Sequence, residues 1–174
     1  NVQSEFSELG TNTFSIKRKT SRGRRLGMVE RDGDPVDFQQ ARQLKRDYDF
    51  DATVSVSAFG SGMATLKKGS ETTNPNVQVL GIDENYLEIS GYDLDSGRGF
   101  LASDMTSSQN YCIIGQDIVN KLFKDYQEPT DSEIMIGSFP YVIAGVLKSK
   151  GSAMGMSQDN QVFITLTNLK KQYG

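Results

Sequence analysis

The longest apolar run in the sequence, residues 141–147, sets the strongest limit on how the chain can fold. It is far shorter than the roughly 18 residues that a membrane-crossing helix needs. Gly137 and Ser138 lie just before it, and a second apolar segment, 134–136, lies before them. Two apolar segments around a Gly-Ser pair predict a β-hairpin whose second strand is long and buried. The chain is therefore expected to build its core around a sheet.

Further apolar segments predict the remaining strands and helices. Tyr111–Ile114 is apolar on both faces, which is typical of a central strand, and residues 116–123 carry apolar pairs at i,i+4 spacing, which predicts a helix. Gly60, Ser61 and Gly62 predict a turn between two short strands. The predicted strands are 11–17, 53–56, 63–67, 76–82, 111–114, 134–136, 139–147 and 161–166, and the predicted helices are 1–10, one from Asp37, one from Asp83, 116–123 and 168–173. This irregular mixture predicts a single domain, 1–174, of the α+β class.

The sequence has no histidine and one cysteine, which excludes several classes of enzyme and metal site. Catalysis by a Ser-His-Asp or Cys-His group needs an imidazole. Cys112 alone can form neither an intramolecular disulfide nor a cysteine zinc site, and in its apolar strand it is predicted to be a small buried hydrophobe. The carboxylates are scattered, and helix capping and surface solvation account for most of them. No catalytic, cofactor-binding or metal-binding residue is therefore predicted.

Residues 17–31 carry seven basic side chains and one acidic side chain, a local charge of +6 in a chain whose net charge is −3. The polar stretch 19–35 that contains most of them is predicted to be a loop. Its charge fits either a solvated loop or contact with anionic lipid head groups or a partner protein, for which Arg22, Arg24 and Arg25 are the candidate residues. Nucleic-acid binding is not expected, because the rest of the chain is acidic and no aromatic residues are interleaved with the arginines.

Residues 148–160 are a second predicted loop, rich in small residues and containing Met154 and Met156. A plain mobile loop and an adaptable contact loop for a partner protein are both compatible with this composition. Binding of a soft metal ion by the two methionines is not expected, since no histidine or cysteine lies nearby. Met154 and Met156 are therefore candidate partner contacts.

The order of the motifs along the chain is more informative than any single motif. The chain contains, in order, Leu9-Gly10-x-Asn12, then LGIDENYLEISGYDLDSGRGF (80–100), YCIIGQDIVNKLF (111–123), EPTDSEIMIGSFPYVIAGVLKSKGS (128–152) and QVFITLTNL (161–169). In order and approximate spacing this pattern resembles the periplasmic core domain of MacB-like (FtsX-type) ABC-transporter permeases. One departure is Asp131, which stands where that family usually has a glycine.

The resemblance implies an extracytoplasmic domain of a permease in the bacterial inner membrane. It implies a membrane-proximal β-α-β lobe, residues 11–58 with 145–174 and incomplete at the end of the chain, and an upper mixed α/β lobe, residues 59–140. The domain would relay ATP-driven conformational change to the export of a drug, peptide or lipoprotein. The implied partners are a second permease subunit, a cytoplasmic ATPase domain and a periplasmic adaptor or lipoprotein. The chain itself is expected to be no enzyme and to bind no cofactor, and it lacks the phosphate-binding pattern G-x-x-x-x-G-K-S/T.

Two other classes of function stay open. A free-standing periplasmic ligand-binding or protein-interaction module would carry a deep apolar pocket. An enzyme would carry a cleft with clustered carboxylates of strongly shifted pKa.

Overall fold

The computed structural model describes residues 16, 37–48, 52–124, 127–153 and 156–174. The chain divides into two compact units, Asn1–Val54 and Ser55–Gly174. The predicted helix at 1–10 and the loop at 19–35 lie outside the described residues, as does all of the predicted strand 11–17 except Ile16.

The first unit contains helix α1 (Phe38–Asp47), which begins where the sequence predicts a capping box. The backbone amide of Asp37 donates a hydrogen bond to Oε1 of Gln40 at 3.3 Å. The carbonyl of Asp37 accepts a bond from the Ala41 amide at 3.0 Å, which closes the first turn. The predicted start of this helix is therefore confirmed.

The second unit contains the remaining elements. The strands are β1 (Ser57–Ala64), β2 (Leu66–Lys68), β3 (Glu71–Thr72), β4 (Val77–Ile82), β5 (Leu94–Gly97), β6 (Tyr111–Ile114), β7 (Glu133–Ile136), β8 (Phe139–Leu147), β9 (Ser152–Ala153), β10 (Met156–Ser157) and β11 (Gln161–Thr165). The helices are α2 (Tyr86–Ile89), α3 (Gln116–Leu122) and α4 (Leu166–Tyr173), together with a 3₁₀ turn, Ala102–Met105.

Nine of these strands form one mixed sheet in the order β1-β4-β11-β6-β8-β7-β2-β3, with β5 paired to β8 beyond the end of β7. The pairs β4–β11 and β6–β8 are parallel. The other pairs in this sheet are antiparallel. Strands and helices are mixed without a regular βαβ repeat, so the predicted α+β class is confirmed.

The central strands of the sheet are buried on both faces. Val162 and Ile164 of β11 pack in one hydrophobic cluster, whereas Phe163 between them packs in a second cluster on the other face. Helices α3 and α4 contribute to the first cluster, and α2 with Phe100 contributes to the second. Because both faces are apolar, the sheet needs cover on both sides, and the helices supply it.

Several predicted elements are confirmed nearly residue by residue. The hairpin of β7 and β8 turns at Gly137, whose φ of +60° places it in the left-handed region. Cys112 in β6 is 0% exposed, and burial raises the pKa of its thiol well above the usual value. Helix α4 begins two residues earlier than predicted, because Oγ1 of Thr165 accepts a hydrogen bond from the amide of Asn168 at 3.2 Å.

The predicted turn at Gly60, Ser61 and Gly62 is wrong, because these residues lie inside strand β1. Gly60 is instead needed for packing: a methyl group there would lie 2.6 Å from Cδ1 of Leu169. Gly81 on the paired strand β4 plays the same role, since a methyl group there would lie 2.7 Å from Cβ of Leu169. Two glycines thus form a notch that accepts one side chain of α4.

The proposed division into lobes, 11–58 plus 145–174 against 59–140, stays a prediction. The sheet nevertheless joins strands from both ranges, because β11 lies between β4 and β6. Strand β11 pairs in parallel with β4 and antiparallel with β6, and its five residues are buried.

Asp131 adopts a φ of +63°, the left-handed conformation that glycine adopts without strain. Its backbone amide donates to the carbonyl of Ile143 at 2.8 Å, which fixes the turn before β7. The side chain is exposed. A residue with a Cβ atom in this conformation costs folding free energy.

We expect Gly81→Ala to lower the free energy of unfolding by about 1–3 kcal/mol, because the new methyl group overlaps Leu169. Gly62→Ala is the matched control, since a methyl group there would lie 3.5 Å from its nearest neighbour. Chemical denaturation of both variants measures the difference. Equal stability of the two variants would contradict the notch.

We expect Asp131→Gly to raise the free energy of unfolding by about 0.5–1 kcal/mol, because glycine adopts positive φ without a steric cost. Asp131→Ala removes the same carboxylate but keeps a Cβ atom, so it should destabilise the domain. Thermal unfolding of the pair separates the backbone effect from the charge effect. A stabilised alanine variant would refute the assignment of strain to this residue.

Candidate interaction surface

The candidate contact residues of the sequence fall mostly outside the described part of the chain. Arg22, Arg24, Arg25 and Met154 lie outside it, and of Met156 only the backbone position, at the start of β10, is described. Their role as partner contacts therefore stays a prediction. The structure does describe the residues that flank the two methionines in the sequence, which include the short strands β9 and β10.

The sequence predicts that the segment 148–160 is a loop. The prediction is wrong for residues 152–157, because β9 and β10 pair as an antiparallel hairpin with Ala153 opposite Met156 and Ser152 opposite Ser157. The hairpin lies outside the large sheet. Its position therefore depends on side-chain contacts at its base.

Asp159 supplies the main contacts at the base of the hairpin. Its side chain accepts hydrogen bonds from Oγ of Ser149 at 2.5 Å and from the amides of Lys150 at 2.8 Å and Gly151 at 3.1 Å. Asp159 is 7% exposed. Burial alone would raise the pKa of its carboxyl, but the three hydrogen bonds together outweigh burial and lower the pKa below its usual value.

The side chains of two residues, Lys150 and Ser157, also hold the hairpin against the rest of the second unit. The ammonium group of Lys150 lies 3.6 Å from the ring centroid of Tyr92 and donates to the carbonyl of Ser90 at 3.3 Å. On the other side, Oγ of Ser157 donates to Oδ2 of Asp117 in α3 at 2.6 Å. The base of the hairpin is thus fixed on two sides by charged groups.

A second buried aspartate, Asp104, holds the glycine-rich segment that follows β5. It forms a bidentate pair with Arg98, whose Nη1 and Nη2 atoms lie 2.6 Å and 3.3 Å from Oδ2 and Oδ1. It also accepts a bond from the amide of Leu101 at 2.8 Å. Burial alone would raise the pKa of Asp104, but these hydrogen bonds outweigh it and lower the pKa. The guanidinium group of Arg98 lies 5.0 Å from the ring centroid of Tyr111, which fixes it over β6.

A third buried aspartate, Asp83, fixes the start of the second unit. Its Oδ1 accepts a bond from Oγ of Ser55 at 2.7 Å, and its Oδ2 accepts one from the amide of Val56 at 2.8 Å. The prediction that Asp83 caps α2 is wrong, because the N-cap of α2 is Asn85, and Oδ1 of Asp83 accepts a bond from the amide of Asn85 before the helix begins. Asp83, Asp104 and Asp159 are thus buried, hydrogen-bonded groups and not solvated carboxylates.

Exposed apolar side chains mark a different surface, on strand β1. Phe59 is 68% exposed and Met63 is 78% exposed. Sequence reasoning missed this surface because it placed Gly60, Ser61 and Gly62 in a turn. The available signal was two large apolar residues in an otherwise small and uncharged segment.

The described residues offer little for chemistry with a bound ligand or metal ion. No three His, Cys, Asp or Glu side chains among them gather as a metal site. One open recess of about 230 Å³ is lined by Lys68, Glu71, Lys124 and Gln127 together with Leu122 and small residues.

The model of the MacB-like periplasmic core domain matches residues 1–174. The chain belongs to this family. Among curated relatives, the macrolide export ATP-binding/permease protein MacB of Nitrobacter winogradskyi is 26% identical over 162 residues, which are 92% of this chain and 23% of that protein. The protein of the same description from Neisseria gonorrhoeae is 27% identical over 173 residues, or 98% of this chain and 25% of that protein. The chain thus spans about a quarter of the curated relatives it matches.

Solved structures of the family agree with the fold. The extracellular domain of the noncanonic ABC-type transporter YknZ from Gram-positive bacteria is 26% identical and has a TM-score of 0.62, with 79% of this chain and 66% of that chain covered. The periplasmic region of MacB from Actinobacillus actinomycetemcomitans is 17% identical and has a TM-score of 0.59, with 76% and 56% covered. The resemblance predicted from the sequence motifs is therefore confirmed. Within the described ranges, no helix has both the length and the apolar character required to cross a membrane.

We expect Asp159→Asn to lower the free energy of unfolding by about 1–3 kcal/mol, because the hydrogen-bond donors at the hairpin base lose a charged acceptor. Asp93→Asn, at an exposed carboxylate, is the matched control. The comparison is made by denaturation at pH 7.

The same variant should change the response to acid. The folded-state pKa of Asp159 is lowered, so its stabilisation is present above the unfolded-state value of about 3.9 and is lost as pH falls further. Asp159→Asn should therefore lose less stability than the wild type between about pH 5 and pH 3. Identical acid profiles for both proteins would show that Asp159 is not the group concerned.

Proposed function

We propose that this chain is the extracytoplasmic domain of an ABC-transporter permease subunit in a bacterial inner membrane, and that it relays ATP-driven movement to substrate export. The observation that carries the proposal is the match of the MacB-like periplasmic core domain to the whole chain. ATP would be hydrolysed by a separate cytoplasmic domain or subunit. The named relatives are macrolide exporters, and the cargo proposed here is a drug, peptide or lipoprotein.

A relay must move as a rigid body, and the packing of the second unit suits this requirement. One sheet runs through it, and its central strand β11 is buried along its whole length. In the described part of the chain, every buried side-chain nitrogen or oxygen atom has a hydrogen-bond partner. A core without unpaired polar groups has few alternative arrangements, so a force applied at one end is transmitted to the other.

The proposed partners are a second permease subunit, the cytoplasmic ATPase domain and a periplasmic adaptor or lipoprotein. For the last of these, Met154 and Met156 are the proposed contacts. Asp159 supports this assignment, because it fixes the base of the β9–β10 hairpin, the part of the chain to which these methionines belong in the sequence. Arg22, Arg24 and Arg25 are proposed to meet a partner protein or anionic lipid head groups.

The test is a distance measurement in the full-length parent transporter reconstituted in lipid nanodiscs. Glu133 is exposed on β7, and a spin label at Glu133→Cys in each subunit reports the distance between the two domains. Cys112 is buried and will not take the label. We expect the distance to change by several ångströms when ATP is trapped on the transporter.

Two controls make the measurement specific for a rigid relay. A label pair within one domain, Glu133→Cys with Thr72→Cys, should keep its distance in the presence of ATP. A transporter that cannot bind ATP should show neither change. An unchanged distance between subunits during ATP turnover would refute the relay, and a changed distance within one domain would refute its rigidity.

A further inference from the structure

A cation lies just after helix α2, in a place formed by an aromatic ring and a backbone carbonyl. The ammonium group of Lys150 lies 3.6 Å from the ring centroid of Tyr92 and donates a hydrogen bond to the carbonyl of Ser90 at 3.3 Å. The face of an aromatic ring and a carbonyl oxygen both attract an ammonium ion, the first through its π-electrons and the second through a lone pair. The lysine comes from a different segment, 60 residues away from Ser90 in the sequence.

The ring of Tyr92 is held in place by contacts that do not involve the lysine. The ring of Phe163, which is buried in the core, meets it edge-on at a centroid distance of 5.2 Å, and the ring of Tyr86 is stacked against it at 6.2 Å. The hydroxyl group of Tyr92 accepts a hydrogen bond from Nε2 of Gln161 at 3.1 Å, and its backbone amide donates to the carbonyl of Leu87 at 2.8 Å. The orientation of this ring is therefore set by the core.

The carbonyl of Ser90 is placed by the end of α2. Ser90 is the C-cap of this helix, and Gly91 after it has a φ of +62°, which turns the chain away from the helix axis. The amides of these two residues donate to the carbonyls of Tyr86 and Glu88. Carbonyls at the end of a helix have no partner within the helix. In the described part of the chain, the donor that reaches the Ser90 carbonyl is the ammonium group of Lys150.

The side chain of Lys150 can leave this place without a movement of its backbone. Lys150 is exposed, and its backbone amide is held separately by Oδ1 of Asp159 at 2.8 Å. A lysine side chain loses much rotamer freedom when it is held in one position, which favours its release. The exposed carboxylates of Glu88, Asp93 and Asp95 flank the site in the sequence, and their charge favours another cation in its place.

We propose that the ring of Tyr92 and the carbonyl of Ser90 form a binding site for a primary alkylammonium group, and that Lys150 fills this site as an internal competitor. The ligand is the protonated amine of a small molecule or the lysine side chain of a peptide, which present the same chemistry. A ligand that takes the place of Lys150 removes one of the contacts at the base of the β9–β10 hairpin. Occupancy of the site is therefore coupled to the hold on the hairpin.

Replacement of the lysine side chain by a small amine tests the site in the chain of 174 residues. Lys150→Ala deletes the atoms Cγ, Cδ, Cε and Nζ, and n-propylammonium supplies the same four. Backbone amide chemical shifts are followed during titration at pH 7 and constant ionic strength, where an alkylamine is protonated. We expect saturable shifts at Ser90, Gly91 and Tyr92 in the variant. The wild type should bind about tenfold more weakly or less, because its own lysine competes at high effective concentration.

Two kinds of control separate recognition of a cation from the filling of a gap. n-Propanol has the same size without the charge and should give no saturable shift. Lys150→Ala combined with Tyr92→Leu lacks the ring and should not bind the amine, whereas Lys150→Ala combined with Tyr92→Phe keeps the ring and should bind it. Tetramethylammonium cannot donate a hydrogen bond to the Ser90 carbonyl, so it should bind Lys150→Ala more weakly than n-propylammonium does.

A blocked Gly-Lys-Gly peptide identifies the source of the amine. If the peptide shifts the same amides of Lys150→Ala, the site accepts the lysine side chain of a partner. If n-propylammonium alone shifts them, the site accepts the amine of a small molecule.

Three results would overturn the proposal: no saturable shift of Lys150→Ala with n-propylammonium, the same shifts with n-propanol, or binding to the wild type as tight as to the variant. Each of these results would reduce Lys150 to a structural contact of the hairpin. None of them bears on the relay, which is tested by the distances between labels in the full transporter.

Discussion

Burial of the sheet centre on both faces is the constraint on which the rest of the second unit depends. Strand β11 lies between β4 and β6, and all five of its residues are buried. Successive side chains of β11 pack into apolar clusters on opposite faces of the sheet, so both faces must be covered. Helices α3 and α4 cover one face, and α2 with the segment around Phe100 covers the other. The order of strands in the sheet is one that brings these helices onto the two faces.

Because the helices cover both faces, the chain passes the ends of the sheet several times. Three buried aspartates form hydrogen bonds to the connecting segments there. Asp83 fixes the chain before β1, Asp104 fixes the segment after β5, and Asp159 fixes the hairpin before β11. Each accepts hydrogen bonds from backbone amides that would otherwise be unpaired in a partly buried place. These three carboxylates thus have a structural function in the fold.

The packing of the second unit suits the rigid movement proposed for this domain. Among the described residues, the buried side-chain nitrogen and oxygen atoms all have hydrogen-bond partners, and the thiol of Cys112 is buried. The described surface carries a hairpin whose base is fixed by side-chain contacts, and the exposed apolar side chains of Phe59 and Met63 on β1. Both features lie at the periphery of the core, where contact with a partner would not disturb the packing.

The sequence by itself determined the elements whose apolar pattern is local. The hairpin around Gly137, the buried strand β6, helix α3 and the capping box of α1 all follow from spacings within a few residues. The order of motifs also determined the family. Only the tertiary structure decided why Gly60 and Gly81 are glycines, because the side chain that needs their space, Leu169, is distant in sequence. The burial of Asp159 could not be predicted from the sequence for the same reason. Its surroundings form only when the chain folds, whereas a local sequence pattern depends only on nearby residues.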